Sequence, residues 1–313
     1  MRKLLIAPIA ELRRYVSREW WATFTLLAEA FGWDCLDIEE VAREYGSLPD
    51  VLQRRFGALP HVVLFREGYP ELLRHRRSLS DAGARIYVLT EDLHVDFHGM
   101  AEALRVADGI LSPYAPRLAA FYPDQDPARL FWIPHAAGPD FVLPIAESPR
   151  PVIFVSGNVD REHYPFRHAM RELALRRPEL AAVQPHPKYR SNFDYEKDKR
   201  VGRGYAETIR SCFAAFTDGT RYLYLVAKYF EIPATGALLV ADRAAAPQLA
   251  MLGFEDGVHY VSAAPDDLEE VVERVLDRRN FTAMDAIRRR GHDLVHENHT
   301  VLERARQIDA VCV

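Results

Sequence analysis

The stretch KYFEIPATGALLVAD, residues 228–242, decides how the chain is read. ALLVAD reads as a buried strand, and EIPATG before it as a short helix with Pro233 in its first turn, where a missing N–H is harmless. TDG (217–219) closes the strand that comes before. Glu231 therefore falls near a helix N-terminus at the carboxyl edge of a parallel sheet, the edge where open α/β sheets bind ligands and helix N-termini attract phosphates. A half-buried carboxylate needs hydrogen bonds or a cation to offset its lost hydration. Two readings are open. Glu231 accepts hydrogen bonds from a ribose diol while Lys228 or Arg221 faces phosphates, or it is a surface glutamate that stabilises a helix dipole by roughly 0.3–1 kcal/mol.

Working outward, short apolar runs alternate with helix-like segments. KLLIAPI (3–9), HVVLFRE (61–67), ARIYVLTED (84–92), ADGILSP (107–113) and LFWIPHA (130–136) read as strands. REWWATFTLLAEAFG (18–32) and YPELLRHRRSLSDAG (69–83) are amphipathic, and the second ends on a glycine suited to a helix C-terminus. Strict alternation implies parallel pairing in a Rossmann-like layer. GPDFVLPIAESPRP (138–151) breaks the periodicity, and VIFVSGN (152–158) begins a second α/β layer. The expected domains are 1–146 and 147–313. In the second, helices are expected near 165–177 and 205–211, a loop-rich stretch at 184–204, and a helical end from 265 onward.

The chain has 313 residues, 49% hydrophobic and 27% charged, with a formal net charge of -5. That balance gives no reason to expect nucleic acid or an anionic membrane surface, and RHRR (74–77) and RRR (288–290) read as solvated helix faces. Cys35, Cys212 and Cys312 suit neither a disulfide framework nor a zinc cluster, which points to a reducing cytoplasm. The apolar run in MRKLLIAPIAELRRY soon meets Glu11, Arg13 and Arg14, so it reads as a first buried strand rather than a signal peptide. No run reaches the roughly 18 apolar residues of a membrane span.

RYLYLVAKYFEIPATGALLVADRAAAPQLAMLGFEDGVHYV (221–261) and the later GHDLVHENHTVLERARQI (291–308) resemble the C-terminal half of the CgeB-like glycosyltransferases. The shared pattern is Glu231, Pro233, Ala234 and Gly236, the strand 237–241, then Phe254, Gly257, Tyr260, His299 and Thr300. YPFR (164–167), HPKY (186–189) and YAETIRSC (205–212) are similar to the same family. The resemblance covers roughly residues 150–313. It implies a GT-B fold, two Rossmann-like domains facing a central cleft, with a nucleoside diphosphate sugar held by the C-terminal domain and an acceptor by the N-terminal one. Glu231 then matches a ribose-binding glutamate. Many retaining members carry another acidic residue eight positions earlier, where this chain has Leu223.

The remaining candidates follow from that picture. Ser156, Gly157 and Asn158 follow a strand, where backbone can approach a diphosphate or simply turn. Arg167, His186 and Tyr189 lie in polar loops and bond either a phosphate or a neighbouring carbonyl. The donor is expected against the 156–158 loop and the 221–236 segment, Thr235 and Gly236 included. TEDLHVDFH (90–98) offers Asp92 and His94 as catalytic candidates near an acceptor hydroxyl, or a capped turn. His292, His296 and His299 share helical spacing, but a GT-B enzyme uses positive side chains and helix dipoles to stabilise a leaving diphosphate, so neither a metal nor a cofactor is expected. The expected activity is sugar transfer from donor to acceptor hydroxyl; the alternative is a scaffold that binds nucleotide-sugars without turnover.

Overall fold

The computed structural model describes residues 1–43, 47–189 and 193–313. They form two compact units. The first comprises Met1–Arg13, Trp20–Pro134 and Leu302–Val313, and the second Arg14–Glu19 and His135–Val301.

In the first unit, β1 (Lys3–Ala7), β2 (Asp34–Asp37), β3 (Val62–Arg66), β4 (Arg85–Leu89), β5 (Gly109–Ser112) and β6 (Leu130–Trp132) form one parallel sheet in the order β2-β1-β3-β4-β5-β6. The expected amphipathic helices run Glu19–Phe31 and Tyr69–Asp81. Strands β1 and β3 are almost wholly buried, as parallel strands covered by helices on both faces must be.

The second unit holds β7 (Arg150–Gly157), β8 (Ala181–Pro185), β9 (Cys212–Thr217), β10 (Leu238–Asp242) and β11 (Val261–Ala263), again all parallel, in the order β11-β10-β9-β7-β8. Helices Pro165–Arg176 and Leu268–Leu276 bury Phe166, Met170, Leu173, Val271, Val272 and Val275 against this sheet. The loop-rich stretch 184–204 lies partly outside the described residues.

Two of the differences from the sequence reading concern the helix that carries Glu231 and the last helix. The helix that carries Glu231 spans Lys228–Ala234, so Pro233 is inside it rather than in its first turn. A proline so close to the end of a short helix removes one hydrogen bond without breaking the element. The last helix, Val301–Val311, joins the first unit from Leu302 onward. Its Ala305 and Ile308 share a core with Leu5, Trp20, Phe24 and Trp33, and Asp309 accepts from Lys3 Nζ at 2.7 Å and from Trp33 Nε1 at 2.8 Å.

Candidate functional site

In the second sheet, β8 lies on one side of β7 and β9 on the other. The order reverses there, so the ligand crevice of such a sheet opens at the carboxyl ends of β7 and β9. Ser156 and Gly157 end β7 with Asn158 next in the chain, and Thr217 ends β9 with Asp218 and Gly219 following.

Arg167, only 2% exposed, joins the two strand ends. Its guanidinium donates to the Asn158 carbonyl at 3.1 Å and the Asp218 carbonyl at 3.3 Å, and it pairs with the Asp218 carboxylate at 2.7 Å. Asp218 also accepts the Arg167 backbone N–H at 2.8 Å. The structure thus engages Arg167 in the frame of the crevice. Its partner Asp218 was missed in the sequence, where TDG read only as the end of a strand.

Lys228 reaches across from the helix after β9. Its ammonium donates to the Ser156 carbonyl at 2.9 Å. Gly157 has φ +102, and a Cβ there would lie 2.2 Å from Lys228 Nζ and 3.0 Å from an Arg167 guanidinium nitrogen. Only glycine admits both the backbone turn and the ammonium. Burial, reinforced by Arg167, pushes the Lys228 pKa down, while Glu231 and Asp218 oppose that shift. Ser156 Oγ shares a hydrogen bond with the Tyr205 hydroxyl at 2.6 Å.

His186 follows β8. Its Nδ1 accepts the Lys188 backbone N–H at 3.0 Å, so the ring is a neutral imidazole with its proton on Nε2. Burial, then Lys228 and Arg167, brings its pKa down to about 4. Tyr189 packs on the His186 ring at 4.6 Å and on Tyr15 at 6.1 Å. Lys228, Arg167 and His186 thus converge on one electropositive corner able to meet an anion.

Glu231 is buried, 6% exposed. Burial raises its pKa, Lys228 and His135 lower it, and Glu19 raises it. Its helix is pinned beyond its end. His296 Nε2 donates to the Ala234 carbonyl at 2.9 Å, Arg288 donates to the Gly236 carbonyl at 2.9 Å, and a Cβ on Gly236 would fall 2.9 Å from Ile145 Cα. The Thr235 hydroxyl donates to the Ile232 carbonyl at 2.7 Å. Thr235 and Gly236 therefore close the helix that presents Glu231. Arg221 is exposed, pairs with Glu162 at 2.9 Å and lies over the Tyr222 ring.

Asp92 and His94 belong to the first unit, in the loop after β4. Asp92 is exposed with φ +37, and its carbonyl accepts from Val95 N–H at 2.8 Å. Beside it, Glu91 binds the Trp20 indole N–H and the buried Arg66, which also pairs with Glu67. The histidine row is a clamp. His292 and His299 bond the carbonyls of Leu143 and Leu252, each at 2.9 Å, as His296 does that of Ala234. Among the described residues no cluster of three His, Cys, Asp or Glu is arranged to hold a metal, and no helix is long and apolar enough to cross a membrane.

Residues 167–310 match the family model for glycosyl transferase-like proteins. The two parallel α/β units have the GT-B fold of glycosyltransferases. An α-glucosyltransferase in complex with UDP and a 13-mer DNA containing a central A:G mismatch is 12% identical, with 99% of each chain covered and a TM-score of 0.63. Anabaena Alr3699/HepE, solved with UDP and glucose, is 12% identical over 99% of each chain, TM-score 0.62. The apo lipopolysaccharide outer core galactosyltransferase WaaB is 8% identical over 99% of each chain, TM-score 0.60. At these identities the likeness is one of fold. No curated protein matches the chain.

Proposed function

We propose that the protein transfers a sugar from a nucleoside diphosphate sugar to an acceptor hydroxyl, with the donor held by the second unit. The observation that carries this reading is a half-buried lysine and a buried glutamate, Lys228 and Glu231, on one short helix at the reversal point of a parallel sheet. Glu231 accepts hydrogen bonds from the ribose diol. The diphosphate lies against Gly157 and Asn158, where it faces the Lys228 ammonium and takes a hydrogen bond from His186 Nε2. Arg167 acts through the frame it makes with Asn158 and Asp218. Tyr189 and Arg221 border the same site. Stabilisation of the departing diphosphate by Lys228 and backbone N–H groups supplies the electrostatic part of catalysis. Asp92 and His94 serve the acceptor. The CgeB-like pattern around Glu231 and a cytoplasmic location fit this reading, as do the UDP and UDP-glucose named for its structural neighbours.

A second reading, a nucleotide-sugar-binding protein without turnover, is favoured by Leu223. It stands where many retaining members carry an acid, and its backbone is left-handed, φ +59. Hydrolysis of a nucleotide-sugar by the purified protein separates the two. The main reading is tested by titrating uridine, guanosine, adenosine and thymidine diphosphates into wild type and Glu231→Ala. Loss of charge-assisted bonds worth roughly 1.5–3 kcal/mol weakens binding about ten- to a hundred-fold. If none of the four binds the wild type, with or without a divalent ion, the reading fails.

A further inference from the structure

In an open parallel sheet the helix after the first strand receives a phosphate at its N-terminus, on backbone N–H groups. In the second unit the start of that helix, Pro165–Arg176, is already engaged. Pro165 has no N–H, and the Arg167 N–H donates to Asp218 Oδ2 at 2.8 Å. The Arg167 guanidinium pairs with the same carboxylate at 2.7 Å, so its charge is balanced before any ligand arrives. The exposed Arg221 is likewise paired, with Glu162 at 2.9 Å. A diphosphate carries several negative charges, and Lys228 offers one positive charge to meet them.

The loop between β7 and the helix presents another group for it. Asn158 Oδ1 accepts the Asp160 backbone N–H at 3.0 Å, and Asp160 Oδ2 accepts both the His163 ring at Nδ1, 2.6 Å away, and the His163 backbone N–H at 2.9 Å. Those two bonds hold the Asp160 carboxyl below its usual range, so it is ionised and the shared proton sits on Nδ1. From the loop after β9, the Arg221 N–H donates to the His163 carbonyl at 2.9 Å, and the Tyr222 ring lies 6.5 Å from the imidazole. From the helix, His168 Nδ1 bonds the Val159 carbonyl at 3.1 Å. His163 thus stands where the loops leaving the two strands at the reversal point are bonded together. Its side chain is 44% exposed, and Nε2 makes no hydrogen bond among the described residues, which leaves that nitrogen for a ligand.

We propose that His163 is a catalytic residue whose Nε2 donates a hydrogen bond to the departing diphosphate of the donor, and that Asp160 is the positioning residue that aims it. The inference rests on the nucleotide-sugar reading of this site. With a carboxylate at one ring nitrogen and a diphosphate at the other, the imidazole carries both protons and keeps them. Its part is charge and hydrogen bonding while the bond from the sugar to the diphosphate oxygen breaks and the electron pair passes to that oxygen. Lys228 then meets the diphosphate from the helix after β9, and His163 meets it from the loop after β7.

The test compares uridine diphosphate with uridine, which lacks the phosphates, on the full chain. His163→Ala removes the ring but leaves both backbone hydrogen bonds of residue 163, so the ligand-free protein should melt nearly as wild type does. Its affinity for uridine diphosphate should fall about tenfold, the loss of one charge-assisted hydrogen bond, while that for uridine stays within about twofold. Asp160→Asn keeps an acceptor for His163 but removes the charge, and should show the same split at about threefold. In wild type, uridine diphosphate should shift the His163 Nε2 resonance in 15N spectra, assigned with His163→Gln, and uridine should leave it in place. Unchanged affinity for uridine diphosphate in His163→Ala, or equal losses for the two ligands, overturns the role of His163 while the nucleotide-sugar reading stands. If uridine diphosphate fails to bind wild type, that reading falls and the role of His163 falls with it.

Discussion

The Lys228 ammonium donates to the Ser156 carbonyl at 2.9 Å, in the space that a Cβ on Gly157 would claim. Gly157→Ala therefore does two things. It strains a backbone at φ +102, at a cost of order 1–3 kcal/mol, and it drives the ammonium from its seat. A lower melting temperature together with weaker uridine diphosphate binding is expected. A variant that melts lower but binds as tightly as wild type would separate Lys228 from the donor.

Asp218 and Arg167 form an ion pair with each side chain only 3% exposed. Asp218→Asn leaves the guanidinium as an uncompensated buried charge, which costs about 3–5 kcal/mol. Chemical denaturation should show an earlier midpoint with an unchanged slope. Arg167→Lys in an otherwise wild-type chain should also lose stability, because an ammonium cannot reach Asn158, Thr217 and Asp218 together as the planar fork does. A loss under about 1 kcal/mol in Asp218→Asn would place the pair among weak surface interactions.

His186 makes stability depend on pH. Its pKa is about 4 in the folded protein against an ordinary 6.5. Between those values the unfolded chain binds a proton that the folded one refuses, so stability falls as the pH drops from 6.5 toward 4. His186→Asn should flatten that part of the profile. An incoming diphosphate reverses the shift, so uridine diphosphate binding near pH 5.5 should take up protons. Calorimetry in buffers of different ionisation enthalpy reads this directly, and equal uptake in wild type and His186→Asn would assign the proton to another group.

Asp92→Asn and His94→Ala should lower sugar transfer while leaving the dissociation constant for uridine diphosphate within about twofold, a difference of roughly 0.4 kcal/mol. Asparagine tolerates the left-handed backbone at position 92, so that variant should fold as wild type does. Equal weakening of nucleotide binding in both variants would remove the loop from the acceptor role.

The sequence by itself determined the α/β alternation, the parallel pairing and the local unit that carries Lys228 and Glu231. These are short-range properties: apolar runs of strand length, a glycine at 157 and a helix closed by Thr235 and Gly236 leave periodic or conformational marks in neighbouring residues. It did not mark β2, β8 or β11. Those strands, DCLD, AAVQP and VSA, are short edge strands, extended because a neighbour pairs with them rather than by their own composition. Only the tertiary structure decided which charges meet. Asp218 lies 51 residues from Arg167, and Glu19 lies 116 from His135. Nothing local signals either pairing, because what selects the partner of a buried charge is the cost of leaving it alone in a dry interior, and that cost exists only once the chain has folded around it.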